Sequence, residues 1–124
     1  MLNKYFKLAI SFEDPYLDEE ERDKEVERLL SQLKDMDEVD SAGRVYDPNP
    51  PEGTKSVGGF LAGLLTAEVS VDNCKNLMGF LGDRLGGKPI EMEVEANGKK
   101  LKVTAYSKGE LEAAIKAAQD FVAA

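Results

Sequence analysis

The one cysteine of this 124-residue chain, Cys74, is its only candidate for thiol chemistry, and no histidine accompanies it. Without imidazole, the commonest proton shuttle, the commonest zinc ligand and every triad that depends on histidine are missing. A reactive thiol needs a base or a positive environment to give up its proton. Cys74 stands instead among apolar residues at helical spacing, where a free cysteine is a small packing residue. The acidic run Asp18-Glu19-Glu20-Glu21 offers oxygen ligands for a hard cation. The same four residues suit the first turn of a helix, where carboxylates complement the helix dipole, and that is how they are read. Gly58-Gly59, with Lys55 close by, would present free N–H groups to an anion. The phosphate-loop order of glycine, lysine and hydroxyl residue after a strand is missing, so the pair is read as a tight turn into a helix. No catalytic, metal or cofactor residue is therefore assigned, and the expectation is a binding component that is not an enzyme and carries no cofactor.

The segment from Asp47 to Gly86 has to position most of these residues. Its Pro-rich loop, Asp47-Pro-Asn-Pro-Pro-Glu-Gly-Thr-Lys55, leads to Phe60, Leu64, Ala67, Val71, Cys74, Met78, Leu81 and Leu85. Their spacing alternates between four and three, the period of one continuous helical seam. About thirty residues at 1.5 Å each make a rod on the order of 45 Å, too long to be buried by one small core. Gly59 and Gly63, four apart, would let this rod approach a sheet closely. Leu65, Val69 and Phe80 fall off the seam. Either the first or last helix covers them as a second layer, or they form a contact surface for another protein. On the second reading the candidate partner surface is Leu65, Val69 and Phe80, with Pro50 and Pro51 of the loop. Failing that, the partner is to be sought at the proline loop or along an open strand edge.

The flanking segments carry clearer local signals. Phe6, Leu8, Ile10 and Phe12 alternate with Lys7, Ala9 and Ser11, a strand with one face in the core. Asp18 with Glu21 forms a capping box, and Val26, Leu29, Leu30, Leu33 and Met36 make the apolar stripe of a helix. Val39 to Tyr46 reads as a strand in which Gly43 marks a bulge, and the two strands joined by that helix are expected to lie side by side, parallel. Gly86-Gly87 ends the long helix in left-handed conformation. Between Pro89 and Tyr106, Asn97-Gly98 separates two alternating runs, the signature of a two-residue hairpin. Pairing Ala96 with Lys99 sets Glu95 opposite Lys100, Glu93 opposite Lys102, Val94 opposite Leu101 and Met92 opposite Val103. Ser107, with Glu110, caps a last helix buried along Leu111, Ala114, Ile115, Ala118 and Val122. The expected fold is α+β, a single domain over residues 1–124 in the order β-α-β-α-β-β-α, with a mixed four-stranded sheet and a long central helix.

Charge narrows the partners. Sixteen basic against twenty-four acidic residues leave a net charge of −8, and the pI is near 4.6. Such a chain repels phosphate backbones, so no nucleic-acid partner is expected. The longest uncharged apolar run, Val57 to Ala67, is far short of the roughly 20 residues that cross a bilayer, and no membrane association is expected. A lone cysteine and no leader-like N-terminus point to the cytoplasm.

The arrangement resembles the effector-associated constant component family of bacterial conflict systems. The resemblance rests on the first strand Tyr5-Phe-Lys-Leu-Ala-Ile-Ser-Phe12, the charged helix after it, and the strand leading into Pro50-Pro-Glu-Gly-Thr-Lys55. It continues through Val57-Gly-Gly-Phe-Leu-Ala-Gly-Leu-Leu65, the hairpin Ile90 to Tyr106 and the closing Ser107-Lys-Gly-Glu-Leu111 helix, and so covers nearly the whole chain. It implies a small adaptor or regulator that binds an effector of peptidase, TIR or NTPase type, or its sensor, in antiphage defence, with no catalytic residues to carry over. Self-association is left open. Two other readings stand beside it: an acidic inhibitor or immunity-type protein that complements a basic partner, and a small-molecule-binding domain where the Pro48 to Lys55 loop meets the helix N-terminus.

Overall fold

A computed structural model describes residues 5–46, 56–57 and 60–123. Among them the chain forms strands β1 (Tyr5–Phe12), β2 (Val39–Tyr46), β3 (Ser56–Val57), β4 (Phe60–Ser70), β5 (Ile90–Ala96) and β6 (Lys99–Ala105). The helices are α1 (Glu19–Lys34), α2 (Cys74–Leu85) and α3 (Lys108–Ala123), with a 3-10 turn at Val71–Asn73 before α2. The class is α+β, and the chain forms one small domain.

The sheet differs from the expectation in three ways. It has five principal strands in the order β2-β4-β1-β5-β6, with the two-residue β3 paired to β4, where four were expected. Every neighbouring pair is antiparallel, so the sheet is not mixed. Strands β1 and β2 do run in the same direction, but β4 lies between them and is antiparallel to both. Likewise β1 lies between β4 and β5. This double split β-α-β arrangement is the ferredoxin-like topology, here extended by β6 and α3.

The long central helix is not formed. Phe60–Ser70 is an eleven-residue strand, and helix begins only at Cys74. Leu65, Ala67 and Val69 are buried while Leu64, Thr66, Glu68 and Ser70 are half-buried, the period of two that a strand imposes. Gly63 has φ +74, left-handed backbone that no helix contains, and a Cβ there would stand 3.3 Å from the carbonyl oxygen of Phe12. Gly63 thus serves a bend in β4, whose register with β2 shifts between Arg44↔Leu65 and Tyr46↔Phe60.

The expected local signals are present elsewhere. Asp18 accepts a hydrogen bond from the Glu21 backbone N–H at 2.8 Å, and the Glu21 carboxylate accepts one from the Asp18 N–H at 3.2 Å. The Ser107 hydroxyl accepts from the Glu110 N–H at 3.2 Å. Asn97 and Gly98 both have positive φ, 54° and 76°, the type I′ hairpin turn, and β5 and β6 pair in the expected register throughout. Gly87, at φ +85, follows the end of α2.

All three helices contribute to a single core on one side of the sheet. Phe6, Leu8, Ile10 and Phe12 of β1 meet Leu65 and Val69 of β4 and Ile90, Met92 and Val94 of β5. Over them lie Val26, Leu29 and Leu33 of α1, Leu77, Met78 and Leu81 of α2, and Leu111, Ala114 and Ala118 of α3. No polar or charged residue is buried among the described residues.

Candidate interaction surface

Among the described residues the opposite side of the sheet carries no helix, and its residues can be laid out from the strand registers. One row across the sheet reads Ser41, Glu68, Lys7, Glu95, Lys100. The next reads Gly43, Thr66, Ala9, Glu93, Lys102, and the third Leu64, Ser11, Glu91, Thr104. Small residues stand toward the β2 edge: Ala9, Ser41, Gly43 and Thr66 floor a trough of about 540 Å³ edged by Lys7, Glu68, Glu93 and Glu95. Nothing lies within 4 Å of the point where a Cβ on Gly43 would stand, and its φ is not positive. Gly43 therefore answers no backbone need; it keeps the trough open. The register shifts of β2 fall between Val39 and Ser41 and between Arg44 and Tyr46, not at Gly43 as the sequence suggested.

Charges on this face form a ladder along the β5–β6 hairpin. Lys102 Nζ lies 3.1 Å from Glu91 Oε1, and Lys100 Nζ lies 3.8 Å from both Glu93 and Glu95. The contact of Lys102 is diagonal, with Glu91 rather than the directly opposed Glu93. The hydrogen bond that Lys102 donates to Glu91, together with the negative charge of Glu91, raises the pKa of Lys102.

On the helix side, Arg44 of β2 clasps α1. Its guanidinium donates to Asp23 and, at 2.6 Å, to Glu27. Its side chain is 8% exposed and that of Asp23 15%, so the pair is largely out of water. This clamp holds an irregular edge strand to the helix layer, and sequence reasoning missed it because partners 21 residues apart leave no local trace.

The residues singled out from the sequence do not come together. Leu65 and Val69 are fully buried, at 0% exposure each, beneath the helices, which removes them from any partner surface. Phe80 is half-buried against the core with the Arg84 guanidinium 5.6 Å from its ring centre. Pro50, Pro51, Lys55 and Gly58-Gly59 lie outside the described residues. Cys74 opens α2, buried near Val122 at the end of α3, and burial pushes its thiol above the ordinary value. Glu19, Glu20 and Glu21 occupy the first turn of α1 behind the Asp18 cap. No cluster of three or more metal-ligating side chains occurs among the described residues. No helix among them is long and apolar enough to cross a membrane.

No protein-family model matches the chain, and no curated protein matches it.

Proposed function

We propose that this protein is a non-enzymatic adaptor or regulatory component of the effector-associated constant component type, which binds a peptidase, TIR or NTPase effector, or its sensor, in a bacterial conflict system. The observation that supports a binding role is the sheet face that no described residue covers. All three helices lie on the other side, and what remains is a trough floored by Ala9, Gly43 and Thr66 beside a row of alternating charge, Glu68, Lys7, Glu95 and Lys100. Such a face offers shape and charge complementarity rather than an activated group. The buried thiol of Cys74 suits packing rather than nucleophilic attack. The class of partner comes from the family resemblance alone.

The test is affinity purification of the tagged chain from its native host. One effector or sensor protein should copurify in constant proportion. Gly43→Arg should abolish its recovery at unchanged melting temperature, because the new side chain extends into open space within the trough. Recovery of a small molecule with no protein would replace this reading by a ligand-binding one. A basic toxin released by moderate salt would replace it by the inhibitor reading.

A further inference from the structure

The two edges of the sheet are built differently. Strand β2, at one end of the order, shifts register twice against β4 and is fastened to α1 through Arg44. Irregularity of that kind blunts an edge against further pairing. Strand β6, at the other end, pairs with β5 over all seven of its residues without a shift. Among the described residues no strand lies on its far side.

The hairpin turn fixes which backbone groups β6 presents outward. In a two-residue hairpin the residues flanking the turn, here Ala96 and Lys99, exchange both hydrogen bonds, and bonded pairs then alternate with non-bonded ones. Lys99, Leu101 and Val103 accordingly bond to β5, while Lys100, Lys102 and Thr104 turn their N–H and C=O groups to the free edge. No backbone hydrogen bond to Lys100, Lys102 or Thr104 from outside the sheet occurs among the described residues.

Side chains divide along the same strand. Lys100 and Lys102 rise on the helix-free face, 63% and 62% exposed despite their contacts with β5 glutamates, and an ammonium with three donors can serve a second carboxylate. On the helix side Leu101 is half-buried, and Val103 is partly buried against the core margin, so apolar surface stays open beside the edge. We propose that β6 is a strand-addition site for an extended segment of a partner protein in which acidic residues, facing Lys100 and Lys102, alternate with apolar residues, facing Leu101 and Val103. Strand β5, Ile-Glu-Met-Glu-Val-Glu-Ala, already satisfies β6 from the inner side with that pattern. A second copy of β6 is a poor occupant. Two such strands paired about a two-fold axis would bring lysines opposite lysines, and like charges directly opposed destabilise a pair. The overall charge of −8 does not forbid an acidic segment, because charges farther than about 8 to 10 Å from the edge are screened at physiological salt.

The inference stands on the edge alone, whatever system the protein serves. Its test is a titration of isotopically labelled protein with a capped peptide of the sequence Ile-Glu-Met-Glu-Val-Glu-Ala, followed by backbone amide shifts. Shifts should concentrate at Lys100, Lys102 and Thr104, and the same peptide with lysine in place of each glutamate should bind at least roughly tenfold more weakly. Lys102→Pro removes one outward N–H while leaving the β5 ladder intact and should weaken binding to a similar extent. Should that variant fold poorly, Lys100→Gln with Lys102→Gln keeps the backbone and should still lose most of the affinity. Shifts elsewhere, no shift at millimolar peptide, equal binding of the two peptides, or a peptide-free dimer joined through β6 would each overturn the proposal. Failure of the peptide leaves the copurification result untouched, and the reverse holds too.

Discussion

The buried thiol of Cys74 links stability to pH. An unfolded thiol ionises near 9.0, and burial raises that value in the folded chain. Above pH 9 the unfolded state therefore loses its proton first, so the thiol's contribution is complete below about pH 9 and disappears as pH rises through the folded value. Cys74→Ala should lower stability by about 0.5 to 2 kcal/mol at pH 7 and flatten the decline above pH 9. Urea denaturation at a series of pH values checks both. A constant gap between the two proteins from pH 7 to about 10 would contradict the assignment. Lys102, whose pKa is raised above its ordinary value chiefly by the hydrogen bond it donates to Glu91, is exposed and present in both proteins, so it cancels from their difference. Leu65 and Val69 carry two competing residue-scale signals. Off the helical seam they look like an anomaly of a helix, whereas Leu65-Thr66-Ala67-Glu68-Val69-Ser70 alternates strictly, apolar then polar. Four- and three-residue spacings among Phe60, Leu64, Ala67 and Val71 satisfied the helical template by coincidence.

Elements whose signals are local were legible in the sequence, and those that depend on distant partners were not. The β5–β6 hairpin could be written down pair by pair because Asn97-Gly98 fixes the turn and the turn fixes the register. The caps of α1 and α3 were legible for the same reason. Placing β4 between β1 and β2 is a tertiary choice with no local signature, and the parallel pairing of neighbours was the wrong default. The uncovered trough was equally hidden, since Gly43 reads as a weak strand residue until its open surroundings are seen. The Arg44 clamp belongs to this scale too. Removing Asp23 leaves the buried Arg44 guanidinium only the exposed carboxylate of Glu27, whereas replacing both members of the mostly dry pair with apolar residues need not destabilise. Asp23→Leu alone should lower stability by about 1 to 3 kcal/mol, and adding Arg44→Met should recover much of that loss. A double-mutant cycle measured by urea denaturation gives the coupling; effects that add to within about 0.5 kcal/mol would rule the clamp out as an energetic unit.

At the scale of the molecule, β1 is the keystone of the sheet, with β4 on one side and β5 on the other. Hydrogen exchange should report that hierarchy. Interior amides of β1, β4 and β5 should exchange only through global unfolding, while protection along β6 should alternate, high at Leu101 and Val103 and low at Lys100, Lys102 and Thr104. Uniform protection along β6 would mean that something already covers its edge. The insertion of β4 between the first two strands also governs how the chain is made. A nascent chain that has released β1, α1 and β2 from the ribosome cannot close a sheet, because the strand that joins them is still unsynthesised. From Phe12 at the end of β1 to Ser70 at the end of β4, translation at about 5 to 20 residues per second takes on the order of 3 to 12 s. Through that interval Phe6, Leu8, Ile10 and Phe12 wait without their cover, a bare apolar strand on which chaperones that attend emerging chains can act, and any stop before β4 leaves a product with no core to form.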